Sequence, residues 1–134
     1  MVSIGKIEGI GEKYTLSLQQ AGVRTTENLL EAGATPKLRR ELAKDTAVSS
    51  TLILKWVNRA DLFRIKGIGE EYSDLLEAAG VDTVPELALR NPANLYAALE
   101  RTNAQKKLVR QLPTRVQVES WVDQAKALSR VVTY

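Results

Sequence analysis

The chain has 134 residues, 44% hydrophobic and 26% charged, which suits one ordinary soluble domain or two small ones. It contains no Cys and no His, which excludes a disulfide framework and a thiolate metal site and removes the commonest general base and metal ligand. A net charge of +3 is a poor argument for nucleic acid, and no apolar run approaches the roughly 18 to 20 residues that span a bilayer. The expectation is therefore a cytoplasmic protein with no cofactor, no metal and no membrane segment. Aromatic residues are only 5% while Leu and Ala abound, which favours helices over sheet.

In chain order, Gly9-Ile10-Gly11 is a tight turn in which glycine can take positive φ and Ile10 plugs the angle between two helices. Glu12 to Ala21 follows as a helix closed by Gly22-Val23, with Thr25 capping the next. Thr35-Pro36 opens a helix that buries Leu38 and Leu42. Ser49 caps a long amphipathic helix carrying Leu52, Ile53, Trp56, Val57 and Ala60. That helix is expected to run on through Asp61, Leu62 and Phe63 into a second turn, Gly67-Ile68-Gly69.

The next helix, Glu70 to Ala79, has Tyr72, Leu75, Leu76 and Ala79 at helical spacing and ends in a Schellman-type Gly80-Val81. Thr83-x-x-Glu86 reads as a capping box with Pro85 in the first turn, and Asn91-Pro92 opens a helix burying Leu95 and Leu99. Thr102 to Leu112 is expected to add a short helix. Thr114-x-x-Gln117 caps the last one, which carries Val118, Trp121, Val122, Ala125 and Leu128.

These elements repeat. Ile7–Leu29 aligns without a gap with Ile65–Leu87, 58 residues further on, and 12 of the 23 positions are identical. A match of that length implies a duplicated supersecondary unit. The fold class is therefore all-α, with residues 1–59 as the first repeat and 60–134 as the second. Trp56 and Trp121 align at a spacing of 65, so the second repeat holds 7 or 8 extra residues between Leu99 and Pro113. The shared long helix is expected to join the repeats into one rigid unit. Trp56 and Trp121 should occupy matching buried sites, with Tyr14 and Tyr72 packing nearby.

The pattern apolar-x-Gly-apolar-Gly, a helix of about ten residues, then Ala-Gly-Val-x-Thr resembles the helix-hairpin-helix motif of recombinase N-terminal domains and DNA polymerase beta. The whole chain is similar to an uncharacterised bacterial family of tandem helix-hairpin-helix proteins known only as a domain of unknown function. The resemblance implies a well-formed hairpin followed by a degenerate one in each repeat, the latter turning at Ala47-Val48-Ser49 and near Leu112-Pro113-Thr114. It also implies that Gly9, Ile10, Gly11, Gly67, Ile68 and Gly69 present backbone N–H groups to a phosphate or a partner.

Charge departs from the DNA-binding pattern. Glu12 follows the first turn and Glu70-Glu71 the second, where a carboxylate satisfies the helix dipole and repels phosphate. Glu70, Glu71, Asp74 and Glu77 form an acidic patch; Arg101, Lys106, Lys107, Arg110 and Arg115 form a basic one with no acid between Arg101 and Val118. No catalytic constellation is present, so an enzyme is not expected. The favoured function is a non-catalytic interaction module or scaffold that binds a protein partner or itself. The alternative is weak, sequence-independent DNA binding through the turn amides and the basic patch. Val2, Ile4, Val131, Val132 and Tyr134 are candidates for an exposed apolar contact surface.

Overall fold

The computed structural model describes residues 3–134. Among these are eight α-helices, one 3-10 turn at Ile4–Lys6 and no strand beyond an isolated antiparallel bridge between Ser3 and Thr25. The chain divides into two compact units, one running to Asp61 and taking in Arg130–Tyr134, the other comprising Leu62–Ser129.

The first unit contains α1 (Glu12–Gln20), α2 (Thr26–Ala32), α3 (Pro36–Thr46) and nearly all of α4 (Ser50–Leu62). The expected helix starts are present. Thr25 accepts from the Asn28 N–H in a full capping box, Thr35 from Leu38, and Ser49 from Leu52. Helix α1 ends as a Schellman motif, with the Val23 N–H on the Leu18 carbonyl at 2.9 Å and the Gly22 N–H on the Gln19 carbonyl at 3.0 Å. Ile4, Ile7, Ile10, Leu18, Leu29, Ile53, Trp56 and Val57 are among its buried residues.

The last residues form a strap on this unit. The Thr133 N–H donates to the Ala34 carbonyl, Arg39 Nη2 donates to the Thr133 carbonyl at 2.7 Å, and the Tyr134 hydroxyl meets Asn58 Oδ1 at 2.7 Å. Val132 is thereby buried, and Ile4, the first residue of the N-terminal turn, is buried too. Both belong to the core rather than to the exposed surface expected of them. Val131 and Tyr134 are exposed, and Val2 lies outside the described residues.

The second unit contains α5 (Glu70–Ala78), α6 (Val84–Ala88), α7 (Pro92–Lys106) and α8 (Arg115–Ala127). Its core joins Leu75, Leu76, Leu87, Leu95 and Leu99 to Val118, Trp121 and Val122. The Val-rich stretch from Val116 to Val122 is thus helical. Val81 and Gly80 close α5 with the same pair of bonds, to Leu76 and Glu77, that closes α1. Gln124 of α8 pairs both amide atoms with the backbone of Lys66, accepting at 2.8 Å and donating at 3.2 Å, which pins the approach to the second turn.

Two expected helical stretches are shorter in the structure. Helix α4 stops at Leu62, and the Ile65 N–H bonds back to the Leu62 carbonyl in a tight turn, so Phe63 does not continue it. The added helix over Thr102–Leu112 does not form as a separate element. Its first residues extend α7 to Lys106, where Lys107 takes a left-handed conformation, φ 50°. Asn103 then exchanges two hydrogen bonds with Val109 and holds the following chain in an irregular loop.

Trp56 and Trp121 are each only 1% exposed. Replacing either with Ala should lower stability by about 3 to 5 kcal/mol, the range for emptying a buried aromatic site. Chemical denaturation of each variant measures it; a loss under about 1 kcal/mol would contradict the core role.

Candidate functional site

Each Gly-Ile-Gly turn is built from one glycine with positive φ and one with negative φ. The first glycine has positive φ, 92° at Gly9 and 96° at Gly67. A Cβ there would also meet a tryptophan. It would lie 3.5 Å from Trp56 Nε1 at Gly9 and 2.9 Å from Trp121 Nε1 at Gly67. Each indole carries a tyrosine on its ring, Tyr14 at 5.1 Å from Trp56 and Tyr72 at 5.3 Å from Trp121. Ile10 and Ile68 are buried between the glycines.

The second glycine is different. Gly11 and Gly69 are extended and have negative φ, −78° and −112°, and a Cβ on either would have nothing within 4 Å. They are the N-cap residues of α1 and α5, and neither helix has a side-chain cap. The other six described α-helices are all capped by Thr, Ser or Asn. The fold therefore needs Gly9 and Gly67, whereas Gly11 and Gly69 leave open N–H groups and free space that intramolecular packing does not use.

The charged residues fall into two groups. Glu12, Glu70 and Glu71 are exposed in the first turns of α1 and α5, against the open N–H groups. Asp74 and Glu77 are half-buried and engaged by other groups, so the free acidic surface of α5 is mainly Glu70 and Glu71. All five basic residues are exposed, but on successive segments. Arg101 and Lys106 lie on α7, Lys107 is its cap, Arg110 is in the loop and Arg115 is the first residue of α8. Exposed Leu108 and Val116 sit among them. The Tyr72 hydroxyl donates to the Gln111 carbonyl at 3.0 Å, which ties acidic α5 to this basic loop.

The expected capping box at Thr83 is modified. Thr83 accepts from the Glu86 N–H, but its hydroxyl also donates to Glu86 Oε1 at 2.8 Å. A hydrogen bond with the Asp82 side chain, with burial second, holds the Glu86 carboxyl above its usual range, and the Thr83 bond only partly opposes this.

Sequence reasoning passed over one polar grouping. Arg39 and Arg40 of α3 and Ser50 and Thr51 of α4, with Pro36 and Leu54, line an open cavity of about 250 Å³. Two adjacent arginines one turn into a helix and a serine-threonine run at the start of the next were its only trace in the sequence.

Two outcomes follow from this geometry. Gly67→Ala should lower stability by about 1 to 2 kcal/mol or more, through its positive φ and the indole contact, whereas Gly69→Ala should change it by well under 1 kcal/mol. Thermal and denaturant unfolding of the two variants separates the roles of the glycines. A raised folded-state carboxyl pKa means that folding binds a proton as pH falls, so wild-type stability gains through the Glu86 titration. Glu86→Gln should therefore be the more stable protein at neutral pH, with an advantage that vanishes in acid. Denaturation midpoints of both proteins across pH measure it, and a constant difference would rule it out.

A stretch of 69 residues, 52% of this chain, is 36% identical to an uncharacterised 22.9 kDa protein in the nqo2 3′ region of Paracoccus denitrificans, and the chain spans only 29% of that relative's length. No solved structure matches the chain. The family described as a domain of unknown function, DUF4332, matches residues 8–128, and the chain belongs to that family.

Proposed function

We propose that the protein is a non-catalytic interaction module, built on two helix-hairpin-helix repeats of one well-formed and one degenerate hairpin each, that binds a protein partner or a second copy of itself. The observation that carries this reading is the exposed apolar pair Leu108 and Val116 set among exposed Lys106, Lys107, Arg110 and Arg115. Arginine is enriched at protein interfaces and lysine depleted, so Arg110 and Arg115 beside the apolar residues fit such a surface and the lysines would lie at its rim. Exposed charge pairs contribute only about 0 to 1 kcal/mol each, whereas burying a Leu or Val side chain contributes about 1.5 to 3 kcal/mol. The charges would thus steer and orient a partner while the apolar pair holds it. Acidic α5 is bonded to the same loop through Tyr72 and Gln111, which ties the helix carrying Glu70 and Glu71 to the segment carrying the basic residues.

A second reading, weak and sequence-independent DNA binding, is favoured by one observation. The N-termini of α1 and α5 are uncapped at glycines with open space beside them. In this reading Gly9–Gly11 would contact a backbone phosphate, since only one exposed acid follows that turn.

The two readings separate in one set of measurements. Pull-downs from the source lysate with and without nuclease should recover the same protein partner, and sedimentation velocity across a concentration series should detect self-association if the partner is a second copy. Leu108→Asp or Val116→Asp should abolish the contact, and reversing Lys106, Lys107 and Arg110 should slow its formation. A monomer at every concentration, with recovery that disappears on nuclease treatment, would overturn the protein-contact reading in favour of nucleic acid.

A further inference from the structure

We propose that the cavity between α3 and α4 is a binding site for a terminal phosphate group, as inorganic phosphate or a small phosphomonoester. It is distinct from the turns and the basic loop and does not depend on the protein-contact reading. Its walls hold two cations and two hydroxyls and no carboxylate: Arg39, Arg40, Ser50 and Thr51, with apolar Pro36 and Leu54.

The two arginines differ in a way that favours an anion. Arg39 is only 5% exposed, and two of its N–H groups are held by the Gly33 carbonyl at 2.8 Å and the Thr133 carbonyl at 2.7 Å. These neutral carbonyls fix its position, and the opposing charge felt by the guanidinium comes from Tyr134 rather than from a residue of the cavity wall. Burial lowers its pKa; charge at Tyr134 works against this and the neighbouring Arg40 adds to it. Arg40 itself is exposed and forms no hydrogen bond or ion pair among the described residues. The Ser50 and Thr51 hydroxyls likewise form no hydrogen bond among the described residues. An oxyanion in the cavity would relieve the repulsion between the guanidiniums and accept from groups already facing it.

Size and charge specify the ligand. A volume of about 250 Å³ falls below the roughly 300 to 1,000 Å³ of pockets for drug-sized molecules, so it suits a phosphate with at most a small group attached. A terminal phosphate carries nearly two negative charges at neutral pH, matching two guanidiniums. A backbone phosphodiester carries one and is substituted on both sides.

The test is a two-dimensional amide NMR titration of the full chain with sodium phosphate through the millimolar range, with sodium chloride at matched ionic strength as reference. Glycerol phosphate and a short DNA duplex form parallel arms. Saturable shifts centred on Arg40, Ser50 and Thr51 are expected with phosphate or glycerol phosphate, and the stronger of the two identifies the natural form. Arg40→Gln, which removes no hydrogen bond or ion pair among the described residues, should weaken binding about tenfold or more, and Thr51→Val should weaken it less. Equal shifts in chloride, no saturation with either phosphate ligand, or undiminished binding by Arg40→Gln would each overturn the proposal. Tighter binding of the duplex at these same residues would overturn it in favour of a nucleic-acid backbone site.

Discussion

Each unit is organised around a tryptophan indole lying against the one glycine of its turn that has positive φ. At Gly67 the indole nitrogen of Trp121 stands 2.9 Å from where a Cβ would be, and the backbone there has φ 96°. Steric exclusion and left-handed geometry thus fall on one residue, and a side chain would violate both. The consequences spread outward. With the backbone against the indole, Ile68 points into the core, Tyr72 covers the ring, and the closing helix is fixed relative to the turn because it carries the tryptophan. Gly9, Ile10, Tyr14 and Trp56 form the corresponding set in the other unit, with a looser approach of 3.5 Å.

This arrangement separates what the turn needs from what it offers. Side-chain caps contribute about 0.5 to 2 kcal/mol relative to Ala, though a glycine cap forgoes only a few tenths. Thr, Ser or Asn provides such caps on six helices, while the two that follow the turns use glycine where any residue would fit. The small stability forgone leaves backbone donors open at both sites. The glutamates beside those donors limit what can occupy them. A carboxylate in the first turn interacts with the same positive helix end that an incoming phosphate would use. The second turn, with Glu70 and Glu71, is the more strongly occupied by its own chain.

Features set by local chemistry were legible in the sequence. The N-caps at Thr25, Thr35, Ser49, Asn91 and Thr114, the Gly-Val helix ends and the buried tryptophans each depend on a few neighbouring residues, and the structure contains all of them. What depended on tertiary contact was not. Helix α4 could have continued past Leu62 on propensity alone, but the Ile65 N–H bonds back to the Leu62 carbonyl in a tight turn. The stretch after Lys106 lacked a helix breaker until Pro113, yet the Asn103 amide captures the Val109 backbone and ends the helix first. Ile4 and Val132 looked exposed because they lie near the chain ends; hydrogen bonds to Arg24 and Ala34 bring their segments onto the core. The arginine-lined cavity was invisible because it forms between two helices and has no motif.

Arg39 shows how such tertiary effects bear on function. Its two carbonyl partners come from the end of α2 and from the C-terminal strap, and neither carries a formal charge. Burial lowers the Arg39 pKa and charge at Tyr134 works against that, so the strap helps to hold the buried guanidinium charged. A side-chain amide would supply two N–H groups in place of five. Donors beyond the two engaged by carbonyls border the cavity that Arg40, Ser50 and Thr51 also line, where an anion would use them. On this argument the strap has a role beyond covering the first unit: by accepting from Nη2 it sets the plane of the guanidinium and so the geometry of the cavity wall.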